Sequence, residues 1–135
     1  MISIIILSCW LLTACCDAVM DTLTHHYYAS IFNAYNSQYW NPAISWKNKY
    51  KNGKKTNGPA FFLSTGLLIA FTDAWHLFKS IKIILTAIVV VAFAHIQAIC
   101  FFSSPIFNMF TWLLILGYTW NITFSIFYNY LLKKN

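Results

Sequence analysis

Apolar positions fall in long blocks, without the strict alternation of strands or the single apolar stripe of a soluble helix. The first block runs from Ile2 to about Leu23 and is richest in apolar residues from Ile4 to Leu12; Thr13, Asp17 and Asp21 follow. No Gly or Pro lies between there and Asn36, so helix is expected through His25 and His26 to about residue 36. Asn41-Pro42 should end that element, because the residue before a proline is pushed out of the helical region. A second block covers 60–78 and a third 81–102. Ser103-Ser104-Pro105 breaks the chain before a fourth block, 106–132, which ends in Lys133-Lys134. The first, third and fourth blocks reach the roughly 20 residues that a bilayer demands. Between residues 41 and 58 the pattern reverses: SWKNKYKNGKKTNG holds five Lys and no acid, with turn signals at Asn52-Gly53 and Asn57-Gly58. The pattern predicts a single all-α domain, a polytopic membrane helix bundle of four apolar segments. Three or four of them would span, with 41–58 as a polar loop.

Composition supports this class. Of 135 residues, 59% are hydrophobic and 9% charged, with 12 Phe, 6 Trp and 8 Tyr. A soluble domain of this size leaves about a third of its surface in water, and these few charges could not cover it. Disorder is excluded by the same hydrophobicity. Net charge is +6, from nine Lys and three Asp, with no Arg and no Glu. The lysines flank apolar segments, where membrane orientation uses them, so no nucleic-acid partner is expected and the bilayer is. A bacterial cytoplasmic membrane is the expected location. Tyr27, Tyr28, Trp40 and Trp46 suit interfacial anchors.

Two topologies compete. With four spans, blocks 60–78 and 81–102 form a hairpin, five lysines face one side and four the other. With three spans, 60–72 is a short re-entrant or interfacial helix, and Thr72 or Asp73 caps one long helix that runs to about Phe102. All nine lysines then share one side, which orients the protein strongly, and no turn is needed between His76 and Ile83, where Gly, Pro and Asn are absent. The second topology is favoured. Leu12-Thr13-Ala14-Cys15 matches a lipoprotein cleavage box, but no Lys or Arg precedes it, so an uncleaved first span is expected. The four cysteines lie in apolar blocks without a CxxC pair and read as small apolar fillers.

Every acid lies in or beside an apolar block, where an ionisable group costs on the order of 3 kcal/mol at bilayer depth. On a helical projection Thr13, Asp17, Asp21, Thr24 and Tyr28 share a stripe about 80° wide, with His25 at its edge. Asp73 and His76 are i, i+3 neighbours, and His95 stands alone in the third block. Asp21, His25, Asp73 and His76 are therefore the leading candidates for an ion or proton site, with Asp17 and His95 secondary. The same four could ligate Zn²⁺ or a similar divalent ion, although no HExxH motif is present. Against this stands a structural role, with the carboxylates pairing and capping helices.

Trp40-Asn41-Pro42, Ser45-Trp46-Lys47-Asn48-Lys49 and Thr72-Asp73-Ala74-Trp75-His76 resemble elements of small multi-pass membrane proteins of Bacteroidota-type bacteria and their phages. The resemblance covers roughly residues 17–80. It implies the membrane class and a packed tryptophan-rich loop, and brings no activity with it. Three function classes follow from the residues. One is a small ion- or proton-linked transporter or channel, expected to be a homo-oligomer because one short bundle encloses little space. The others are a membrane-embedded metal-dependent hydrolase of a lipid or small amphiphile, and a holin-like or accessory protein with no catalytic site.

Overall fold

The computed structural model describes residues 2–95 and 102–134, with the side chains of Ile2, Ala94 and His95 outside that description. Among the described residues five α-helices appear in chain order: α1 (Ile2–His25), α2 (Ser37–Trp40), α3 (Pro42–Ser45), α4 (Ala74–His95) and α5 (Pro105–Ile126). A single π-helical turn, Phe127–Leu131, continues α5. Among the described residues the only β pairing is two isolated bridges, Ser30 with Lys133 and Tyr50 with Pro59. The fold is an all-α bundle. Three stretches, Ser3–His25, Ala74–Phe93 and Pro105–Leu131, are long and apolar enough to cross a membrane.

Helix α1 is the axis on which both α4 and α5 pack. It contributes more buried side chains than any other element, including Ile6, Thr13, Ala14, Cys16, Ala18, Val19 and Leu23. Ala14 and Ala18 are fully covered; side chains this small let helix backbones approach closely in an apolar medium. Lys82 on α4 meets Asp17, so α4 runs antiparallel to α1. Trp10 donates its indole N–H to the Leu116 carbonyl at 2.8 Å, and the His26 and Tyr128 rings meet at 5.5 Å, so α5 runs parallel to α1. Hydroxyls and amides on the helices are satisfied locally. Thr119 and Asn121 donate to the carbonyls of Ile115 and Gly117 one turn back, which keeps their polar groups paired where water is absent.

Two expectations are corrected. Helix does not continue from α1 to residue 36. It stops at His25, and 3₁₀ turns follow at Tyr27–Ala29 and Ile31–Ala34. The Ser30 hydroxyl donates to the Tyr27 carbonyl and accepts the Phe32 N–H, while the Ile31 N–H goes to the Leu132 carbonyl. Local serine bonding and pairing with the far end of the chain outcompete helical propagation. Likewise 60–72 is not an α-helix, while the favoured single helix through Lys79–Ser80 is observed. Residues 60–72 form turns, and one helix starts at Ala74 and passes through Lys79–Ser80 without a break. Ser64, fully buried, accepts the N–H groups of Ala60 and Phe61 and donates to the Lys49 carbonyl, so the segment is pinned in a non-helical form.

The connection between α1 and α4 is not slack. Phe32 stacks on Trp40 at 4.9 Å, Trp40 meets Phe78, and Asn48 donates to the Thr72 carbonyl. Asn41 caps α3 by accepting the Ala43 N–H, consistent with an element ending before Pro42. Of the four expected anchors, Tyr28 and Trp46 are exposed. Tyr27 and Trp40 are not: Tyr27 is 6% exposed within the core cluster, and Trp40 packs against it. With three long helices, eight of the nine lysines belong to one end of the bundle: the α1–α4 connection, Lys79 in the first turns of α4, and the residues after α5; Lys82 lies further along α4.

Candidate functional site

The expected site residues separate into two places. At the lysine end, Asp73 sits one residue before α4 and is 2% exposed. Its Oδ1 accepts the His76 backbone N–H at 2.9 Å, which caps the helix as the sequence indicates. Its Oδ2 lies 2.7 Å from His76 Nδ1. The Thr72 hydroxyl is 3.1 Å from that oxygen and 2.8 Å from the Ile69 carbonyl, and donates to one of them at a time. Burial alone would push the Asp73 carboxyl up. The bonds from the His76 ring and backbone, its charge, and Thr72 outweigh burial and hold the group below its ordinary value. Tyr39 feels the same neighbourhood: burial, and then the Asp73 charge, push its phenol up. A pocket of about 250 Å³ opens beside the pair, lined by Thr24, Pro42, Ser45, Trp46, Trp75 and His76.

The second place lies within the spans. Lys82 Nζ is 2.6 Å from Asp17 Oδ1, joining α4 to α1. The pair borders a cleft of about 380 Å³ between the three long helices. Trp10 and Thr13 line it from α1, Thr86 from α4, and Gly117, Trp120 and Asn121 from α5. Asp17 and Lys82, two threonines and Asn121 thus line one open cleft, with Gly117 and Asn121 on its exposed side. Such groups can hold water, an ion or a proton at depth.

The remaining candidates do not converge. Asp21 and His25 are exposed and do not join Asp73 and His76, and among the described residues no three His, Cys, Asp or Glu side chains gather as a metal site. Asp17, ranked second by the sequence, is the carboxylate with a cationic partner in the bundle. The His95 side chain lies outside the described residues. Lys82 is a functional candidate that the apolar pattern alone does not single out. The signal was its depth: Asp17 lies eight residues before the end of α1 at His25, and Lys82 eight after the start of α4 at Ala74, so an antiparallel pair sets them level.

No protein-family model matches the chain, and no curated protein or solved structure shows a significant match.

Proposed function

We propose that the chain is a multi-pass integral membrane protein that conducts protons through the polar space of its three-helix bundle, as a small proton-linked transporter or channel. The Asp17–Lys82 pair beside the cleft between the three long helices carries this reading. Ionisable groups at bilayer depth are expensive, and they mark ion and proton pathways. The Asp73–His76 pair at the lysine end gives a second station, since imidazole is the side chain best suited to exchange protons near neutral pH. In this scheme Asp17 takes up the proton and Lys82 loses its partner in the same step, so the α1–α4 contact loosens as the proton moves. The protein sits in a cytoplasmic membrane with its lysine end inside.

The experiment is proton entry into sealed vesicles that contain the purified protein and a pH-sensitive dye, under an imposed gradient. Wild type should exceed empty vesicles, and Asp17→Asn and Lys82→Met should each lower the rate at least about tenfold at equal incorporation. Wild type no faster than empty vesicles would overturn the proposal.

One observation favours a second reading. A histidine held by a carboxylate through Nδ1, beside a pocket walled by Trp46, Trp75 and Pro42, is the arrangement of a general base next to an apolar group. Its test is hydrolysis of an amphiphilic ester by the purified protein, with loss in His76→Asn as the supporting result.

A further inference from the structure

The connection between α1 and α4 presents two surfaces that the proton reading does not use. One is cationic. The Tyr50–Pro59 bridge folds residues 50–59 back on themselves, with the Lys51 N–H bonded to the Gly58 carbonyl. Asn52, Gly53 and Gly58 take positive φ, and the turn they form exposes Lys51, Lys54 and Lys55. Lys47 and Lys49 lie over the rings of Trp46 and Tyr50, and no acid occurs anywhere between residues 22 and 72. The other surface is apolar. Phe62 is 80% exposed, Leu67 82% and Phe71 69%. Leu63 adopts φ 57°, a left-handed conformation that a branched side chain rarely takes. The two surfaces are fastened together: the Ala60 N–H and the Ser64 hydroxyl both bond the Lys49 carbonyl.

We infer that residues 46–71 form an interfacial element that binds anionic phospholipid, with Phe62, Leu67 and Phe71 in the acyl boundary and the lysines on lipid phosphate. Two observations choose this occupant. The cationic surface complements a negatively charged leaflet, where each nearby lysine adds to attraction. The apolar ridge also emerges at the same end of the bundle as the lysine-rich ends of the spans, so it continues the surface that already faces lipid. An amphipathic element of this kind lies in the headgroup plane and does not span. The inference rests on the chain residing in a bilayer and not on proton conduction.

The test is hydrogen exchange of the full chain in nanodiscs. One set holds phosphatidylcholine alone, and the other mixes it with phosphatidylglycerol. Slow exchange across α1 and α4 in both sets establishes insertion separately. Amides of residues 60–71 should exchange at least about tenfold slower with phosphatidylglycerol present, and Lys51→Gln/Lys54→Gln/Lys55→Gln should remove the difference. Phe62→Ser/Leu67→Ser should speed exchange in both bilayers. Equal exchange of wild type in the two bilayers would overturn the proposal. So would protection given by inorganic phosphate in phosphatidylcholine alone, since the site would then read free phosphate.

Discussion

Asp73 divides its two oxygens between two tasks, the cap on α4 and the hold on the His76 ring. Both need the carboxylate. Because its folded value is depressed, the stability it adds is present above the ordinary carboxylate range and is lost as pH falls through the lowered value. Thermal stability in detergent should therefore be flat from neutral pH down to about 5 and fall below about 4. Asp73→Asn should lower stability at neutral pH and flatten the acid limb. A wild-type acid limb that survives unchanged in Asp73→Asn would contradict this assignment. Ser30 is a second residue with a definite local role, since its hydroxyl closes the turn Tyr27–Ala29 and caps the turn Ile31–Ala34. Ser30→Ala should cost about 1 kcal/mol, measured by denaturant unfolding. The Asp73 cap was legible in the sequence because Thr72-Asp73 directly precedes an apolar run without Gly or Pro. Tyr27 was not: a tyrosine near a helix end reads as an anchor, and its burial depends on Leu132 at the other end of the chain.

Between elements, the decisive contact is α1 with α4. Removing one partner of the Asp17–Lys82 pair leaves the other charge alone at depth. Asp17→Asn should destabilise by about 3 kcal/mol, and Asp17→Asn/Lys82→Met should recover most of that loss. Unfolding of the two single variants and the double variant in one detergent measures this coupling. Strict additivity would mean the pair does not interact. The extent of α4 was partly legible. The absence of a turn signal between His76 and Ile83 argued for one helix, yet the mean apolarity of 60–78 argued for a separate segment. What decided against the separate segment was Ser64, whose bond to Lys49 requires the preceding loop to be in place. The end of α1 was hidden for the same reason. No breaker residue stands between Leu23 and Asn36, and the non-helical course after His25 is held by a bond from Ile31 to Leu132 at the far end of the chain.

At the scale of the whole molecule, three long helices and one folded connection place eight of the nine lysines at one end, which by the positive-inside bias should face the cytoplasm. The block pattern made the helical class and the break at Ser103-Ser104-Pro105 legible, and α5 begins at Pro105. The grouping of side chains around the cleft was not legible, because Trp10, Lys82 and Asn121 come from three helices whose relative rotation no single block encodes. Proton conduction, the lysine-end lipid contact and the Asp17–Lys82 pairing all assume three crossings. The most direct measurement is a set of topology reporters, one inserted at Gly53, one fused after Ser103 and one fused after Asn135. The Gly53 and Asn135 reporters should read cytoplasmic and the Ser103 reporter the opposite side. Gly53 and Asn135 on opposite sides would mean that residues 60–78 cross the membrane and would contradict the account.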